Sequence, residues 1–383
     1  MLRWSRQIVF GDVDAMYASS AIVADPGLAG RCVAVGSPPP RGIVTSASYL
    51  ARQFGVRAAM PTAHALRLCP NLVVVPPDFA LYRRMHERLR EIAARFFPAT
   101  AWTSIDEFYA DTTDLQSMHP DPAALGRKVK TAIFEETGLH CTVAVGTSKT
   151  VAKIAADCHK PDGLAVIEPG TEAAFLAARP VKSLPGIGPK TAAELEPLGI
   201  RLISDLLEPR FGPILGQMWG ARLPALQALA HGIDHDPVEP DRAQKSLGHE
   251  TTFDRNTADI EFLEDTVRSF LNELTHDLRL QGLAAGAFTL KLKDWRFKIT
   301  TRQRRFAHPL NYDPPMWKAI RPALRSLVTP RTQYRLIGLS LSDLVPATDT
   351  LFDQRTTRAM AAMDAIIEKH GASVIRLGEI PEE

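Results

Sequence analysis

The stretch Ile8-Val9-Phe10-Gly11-Asp12-Val13-Asp14-Ala15-Met16-Tyr17 is an apolar run that ends in acids, and about ninety residues later Ser104-Ile105-Asp106-Glu107 does the same. Carboxylates at the ends of adjacent buried strands repel one another unless positive charge lies between them. Hard divalent cations supply that charge and prefer carboxylate oxygen. Two such cations held by Asp and Glu are the usual machinery of in-line phosphoryl or nucleotidyl transfer. Asp12 closes its strand, and the Val13 carbonyl offers another oxygen. Asp106 and Glu107 are neighbours, so in a regular strand they would face opposite sides. Both reach metal only if the strand ends or bends there, or if each serves a different ion.

Outward from these motifs, residues 7–10, 32–36, 43–46, 72–75, 101–105, 107–111, 141–146 and 164–167 read as short strands. Residues 17–23, 47–54, 62–68, 79–97, 122–137 and 150–158 read as helices, with apolar residues at helical spacing most evident over 79–97. Strands interleaved with packing helices make the first half α/β or α+β. Residues 172–235 are helix-like and punctuated by Pro and Gly, and 236–243 reads as an exposed linker with two prolines and acidic charge. Strands return over 244–343 with two helices, and the tail 344–383 carries one more helix over 354–370.

With 383 residues, 45% of them hydrophobic, the chain can build two to four packed units, which argues against general disorder. A net charge of +2 names no partner by itself. Cys32, Cys69, Cys141 and Cys158 are scattered, without a C-x-x-C pair, so neither a disulfide framework nor a zinc site is expected, and a reducing cytoplasm fits. No signal-peptide segment and no membrane-spanning run is expected.

Four further segments suit phosphate. In Ser46-Ala47-Ser48-Tyr49-Leu50-Ala51-Arg52, which opens a helix, Tyr49 and Arg52 are three apart and share a face, with Ser46 near the helix start. A phenol and a planar guanidinium fork together suit a polyphosphate. In 151–163, Lys160 follows a helix and precedes a Pro-x-Gly turn, which aims its ammonium group. Gly146-Thr147-Ser148-Lys149-Thr150 lacks the glycine that a Walker A loop needs before its lysine and is not one. Pro185-Gly186-Ile187-Gly188-Pro189-Lys190 lies between helices, where Gly186 and Gly188 let backbone N–H groups approach an anion and Lys190 adds charge. Over 288–304, Phe288, Leu290, Leu292, Phe297 and Ile299 alternate with Lys291, Lys293, Lys298, Arg302 and Arg304. That pattern predicts two strands with an apolar inner face and a cationic outer face. Across 244–343 there are 16 Lys+Arg against 11 Asp+Glu, an excess that suits a phosphate backbone.

In this order the motifs resemble the Y-family DNA polymerases, the translesion enzymes, and most closely their DNA polymerase IV-like branch. The resemblance spans nearly the whole chain and includes Lys245-Ser246-Leu247-Gly248, similar to the opening of the family's little-finger domain. It implies a multidomain α/β (α+β) right-hand polymerase. Its parts would be a palm (1–18 and 80–167), small fingers (19–79), a helical thumb with a helix–hairpin–helix (168–235), a linker (236–243), an α+β little finger (244–343) and a tail (344–383). It implies that Asp12, Asp106, Glu107 and the Val13 carbonyl hold two Mg²⁺, with Mn²⁺ as a substitute. Asp14 would be support rather than ligand. Ser46, Tyr49, Arg52 and Lys160 would hold the incoming dNTP, and Tyr17 would be the steric gate that excludes a ribose 2′-OH. Gly186, Gly188, Lys190, Lys245, Lys291, Lys293, Lys298, Arg302 and Arg304 would contact primer–template DNA. Leu351 and Phe352, in Thr348-Asp349-Thr350-Leu351-Phe352, resemble the family's sliding-clamp peptide. Met16 and Leu50 depart from the family's usual aromatic and Glu. No proofreading and a monomer are expected. The competing readings are a non-catalytic adaptor, which would lack the palm carboxylates, and a nucleotidyl cyclase, which has no use for a DNA-binding hairpin.

Overall fold

The structure is a computed structural model and describes residues 4–240 and 244–347, with Ala362, Ala365, Ile366 and Lys369 beyond them. Leu351, Phe352 and most of the expected 354–370 helix lie outside the described residues. The chain divides into two compact units, 1–242 and 243–383.

In the first unit the elements run β1 (Ile8–Val13), α1 (Met16–Ala24), β2 (Val33–Gly36), β3 (Val44–Ala47), α2 (Tyr49–Gln53), α3 (Thr62–Leu68), β4 (Val73–Val75) and α4 (Phe79–Phe96). They continue with β5 (Ala101–Trp102), β6 (Glu107–Asp111), α5 (Pro122–Thr137), β7 (Cys141–Gly146), α6 (Lys149–His159) and β8 (Leu164–Val166). Four helices follow, α7 (Glu172–Ala177), α8 (Pro189–Leu195), α9 (Gly212–Trp219) and α10 (Leu223–Ala230), joined by short 3₁₀ turns.

A five-stranded sheet, β5-β6-β1-β7-β8, puts β1 at its centre, antiparallel to both neighbours. Every residue of β1 is buried, so alternate side chains serve two cores. Val9 and Val13 pack with Leu89 and Ile92 of α4 and Val129 and Ile133 of α5. Ile8 and Phe10 pack with Ala152, Ala155 and Ala156 of α6. Asp12, two residues beyond Phe10, therefore faces the α6 side. Gly11 faces the other way, where a Cβ would stand 2.4 Å from the Phe108 ring, so only glycine lets that ring close over the strand. The strand expected over 101–105 stops at Trp102, and 103–106 is a bend. A three-stranded sheet, β3-β2-β4, packs against α2 and α3, and the 172–230 helices share a third core with Val151 and Ile154.

The second unit contains β9 (Ser246–Thr257), α11 (Ile260–Leu280), β10 (Leu283–Asp294), β11 (Ile299–Leu310), α12 (Asp313–Leu327) and β12 (Tyr334–Pro346). Its antiparallel sheet, β11-β10-β12-β9, is covered on one face by α11 and α12. Glu264 of α11 clasps the two helices together, accepting hydrogen bonds from Arg321 Nε at 3.0 Å and from Arg325. No helix among the described residues is long and apolar enough to cross a membrane.

The register corrects the expected cationic face. Phe288, Leu290 and Leu292 are buried under the helices. Arg304 and Arg302 lie directly opposite Phe288 and Leu290 on the neighbouring strand, and directly opposite residues share a face. Arg302 and Arg304 are thus on the helix side, where Arg302 Nη1 donates to Ser326 Oγ of α12 at 2.6 Å. Lys291 and Lys293 face the open side, and Lys291 Nζ reaches across Gly338 to Glu250 at 2.7 Å. Phe297 and Ile299 are 62% and 51% exposed and not an inner face; Phe306 and Leu310 fill that role. The alternation fails because a turn at 294–298 interrupts it.

Candidate active site

Asp12 of β1 and Glu107 of β6 are partners in the strand register, so their carboxylates leave the sheet on the same side. Asp106 sits on the bend one residue earlier, where its carbonyl accepts from Val13 N at 3.0 Å and its carboxylate accepts from Ser104 Oγ at 2.5 Å. This is the strand end that lets adjacent acids serve one site. Asp12 is 4% exposed. Burial, reinforced by the charges of Glu107 and Asp106 and opposed by Lys160, pushes its pKa up to about 7. Lys160 Nζ donates to Asp12 Oδ2 at 2.5 Å. Burial disfavours the Lys160 charge, but Asp12 more than offsets it and the lysine pKa is raised.

Lys153, which the sequence motifs do not single out, donates to Glu107 Oε1 at 2.7 Å, and its ammonium also lies 4.8 Å over the Phe10 ring. Burial opposes ionisation of Glu107, yet Lys153 holds its pKa below the usual range. The available signal was helical spacing: Lys149 and Lys153 are four apart on the helix that Lys160 ends. Among the described residues no three acidic, His or Cys side chains enclose a metal ion as they stand, since each of the three carboxylates is turned to a lysine or a serine. The donor set nonetheless fits hard cations. It is all oxygen, it sits at facing strand ends, and three carboxylates share two ammonium groups.

Asp14 behaves differently. It is 3% exposed, and its carboxylate accepts from Asp162 N at 2.8 Å, from Thr142 Oγ1 at 3.1 Å and from the Tyr49 hydroxyl at 3.2 Å. It is a junction tying β7, the 160–163 turn and α2 to the end of β1. Ala15, left-handed at φ 49°, makes the sharp turn into α1, and its carbonyl accepts from Ser46 Oγ at 3.4 Å. The Arg52 guanidinium lies 4.4 Å over the Tyr49 ring, and its Nε donates to Ala47 O at 2.9 Å. Burial, then Asp14, push the Tyr49 pKa up to about 12, so the hydroxyl stays a donor. Tyr17 stacks on Tyr82 with ring centroids 4.3 Å apart. Burial raises its pKa, and the Asp106 charge adds to the shift. The structure therefore gathers Asp12, Asp14, Tyr17, Ser46, Tyr49, Arg52, Asp106, Glu107 and Lys160 into one linked region. Met16 is buried in the core beside Val13, and Leu50 is exposed. In the helical segment, Gly186 has φ 92°, Gly188 caps α8, and Lys190 is exposed in its first turn.

Family models of the impB/mucB/samB type match residues 11–157 and, for the C-terminal domain, 244–354, and the family's helix–hairpin–helix motif matches 169–200. The chain belongs to this family, the Y-family of DNA polymerases. It is 38% identical over 342 residues to a DNA polymerase IV of Halorhodospira halophila, covering 89% of this chain and 96% of that one. It is 36% identical over 375 residues to a DNA polymerase IV of Caulobacter vibrioides, covering 96% and 92%. Among solved structures, a Y-family chimera of Dbh and Dpo4 superposes with a TM-score of 0.81 at 28% identity over 88% of this chain and 99% of that one. An insertion ternary complex of Dbh DNA polymerase gives 0.65 at 28% identity, with the same coverage. The multidomain α+β polymerase fold expected from the sequence is the fold found.

Proposed function

We infer that this chain is a template-directed DNA polymerase of the translesion type, which adds dNTPs to a primer 3′-OH. The carrying observation is the facing pair Asp12–Glu107 with Asp106 on the adjoining bend, flanked by Lys160, Tyr49 and Arg52. Y-family polymerases are metal-dependent nucleotidyltransferases; here Asp12, Asp106 and Glu107, helped by the Val13 carbonyl, would hold two Mg²⁺, or Mn²⁺ in its place. When bound, such ions lower the pKa of the attacking hydroxyl and neutralise the triphosphate and leaving group. The chain's own groups do the rest. Arg52, Tyr49, Ser46 and Lys160 line up as triphosphate ligands, with Arg52 pre-positioned by its bond to Ala47 O and Tyr49 by Asp14. Lys160 and Lys153 stand on Asp12 and Glu107 and would yield those carboxylates to metal, leaving Lys160 free to turn to phosphate. Tyr17, braced by Tyr82, would exclude a ribose 2′-OH by shape.

In domain terms, the five-stranded sheet is the palm (1–18 and 80–167) and the three-stranded sheet the fingers (19–79). The helical 168–235 segment is the thumb, 236–243 the linker, and the second unit the little finger followed by the tail. Gly186, Gly188, Lys190, Lys245, Lys291, Lys293 and Lys298 are the proposed duplex contacts; Arg302 and Arg304 join them only along the outer edge of the sheet, because β11 is its edge strand. We further place the enzyme in the cytoplasm as a monomer, with Leu351 and Phe352 docking on a sliding clamp. Phe352→Ala should lose clamp binding and keep clamp-free extension. The test of the main reading is extension of a labelled primer with each dNTP singly. Preferential incorporation of the complementary dNTP supports it, and tight DNA binding without extension would favour the adaptor reading.

A further inference from the structure

β10 and β11 meet in a tight turn, Asp294-Trp295-Arg296-Phe297-Lys298. Asp294 N donates to Lys298 O at 3.0 Å, and Phe297 N to Asp294 O at 3.0 Å. This is a three-residue hairpin loop whose last residue is left-handed, Phe297 at φ 66°. Such loops place glycine or asparagine there, because a bulky side chain is disfavoured in that region. The aromatic at this position is not buried in a core: Phe297 is 62% exposed, and Trp295 and Ile299 are each 51% exposed.

Charge surrounds these rings. The Arg296 guanidinium lies 4.7 Å from the Trp295 ring, and that of Arg335 lies 5.0 Å from the Phe297 ring. Lys293 and Lys298 flank the turn. The only acid in the turn, Asp294, is committed to the loop itself, accepting from the backbone N–H groups of Arg296 at 2.8 Å and Lys298 at 2.9 Å. We propose that this hairpin tip is a stacking platform for unpaired nucleotides of a DNA strand. A base would stack on the open face of Trp295 or Phe297, and the four cations would follow the phosphates. A duplex hides its base faces and needs only the cations. Exposed π-faces rimmed by Arg and Lys match a single strand, whose every base offers a face. The proposal rests on the polymerase reading, which supplies a template with an unpaired 5′ stretch.

The test uses the full chain without nucleotide, binding a primer–template with a 5′ overhang and, in parallel, a blunt duplex of the same sequence. Trp295→Ala with Phe297→Ala should weaken overhang binding by roughly 10- to 100-fold, as the loss of one or two stacked bases implies, and leave blunt-duplex binding within about 2-fold. Phe297→Asn, which suits the left-handed backbone, should match Phe297→Ala and so assign the loss to the ring rather than the turn. Tryptophan quenching by the overhang substrate should fall in Trp295→Phe. Equal losses on both substrates would assign the tip to duplex and overturn the proposal, as would no loss on either. In both cases templated primer extension by the wild type would stand, so the polymerase reading fails separately.

Discussion

Replacing Asp14 tests whether it is a scaffold acid, distinct from the proposed ligand Asp12 two residues away. Asp14→Ala removes the acceptor for Asp162 N–H, Thr142 Oγ1 and the Tyr49 hydroxyl at a position 3% exposed to solvent. The 2.8 Å backbone bond to a buried carboxylate is the strongest of the three. Stranding that N–H and one hydroxyl, at about 1–3 kcal/mol each, puts the loss at roughly 2–6 kcal/mol. Asp14→Asn is milder. Its oxygen can still receive Asp162 N–H, while its NH₂ faces two hydroxyls, both able to accept, so about 1–2 kcal/mol is expected from weakened charge-assisted bonds. Tyr49 then keeps only a weaker, neutral anchor, and KM for dNTP should rise about 3- to 10-fold, with kcat falling less than about 10-fold. Chemical denaturation paired with steady-state single-nucleotide insertion measures both quantities. If Asp14→Asn is as inactive as Asp12→Asn while retaining wild-type stability, Asp14 is a ligand and the argument fails.

Three other expectations follow from the same geometry. Tyr17→Ala should cut discrimination against rNTPs by at least about 10-fold, since one clashing hydroxyl accounts for more than ~1.4 kcal/mol; unchanged discrimination in insertion assays removes Tyr17 from the gate. Lys153→Met should leave Glu107 half-buried without its ammonium partner, lowering the melting temperature in chelator and enlarging the stabilisation gained on adding Mg²⁺; equal Mg²⁺ shifts in variant and wild type would show that the pair does not compete with metal. Glu264 has its pKa lowered, its burial outweighed by Arg325 and Arg321. Its stabilisation is therefore complete above the unfolded value and lost as pH falls through the folded one. Glu264→Gln should cost about 1–2 kcal/mol near neutrality, discounted because both arginines are substantially exposed, and the difference from wild type should vanish in acid.

The ends of β1 and β6 were legible in the sequence because two buried apolar runs that both end in acids must bring positive charge between them, and the 103–106 bend met the condition that adjacent acids impose. The Tyr49–Arg52 spacing likewise foretold a shared face, realised as stacking at 4.4 Å. Lys153 was legible only as a lysine on the Lys149 face of its helix, not in its role. Its role depends on which strand α6 covers, and that is set by long-range packing of Ala152, Ala155 and Ala156 on Phe10 and Ile8. The Asp14 junction was half legible, since its partners come from three separate segments. The face of β11 differs from the sequence pattern for a local reason. Trp-Arg-Phe carries no turn signal, so period-2 alternation reads straight through a hairpin that inverts it. The residue that hid the turn is the same strained Phe297 that gives the tip its character.

The most direct measurement is primer extension by wild type and Asp106→Ala, each with Mg²⁺ and with chelator. Wild type should show templated extension only with the divalent ion, and Asp106→Ala should lose roughly 10²- to 10³-fold, as for removal of a transition-state charge contact. Extension by Asp106→Ala at the wild-type rate would contradict the metal assignment.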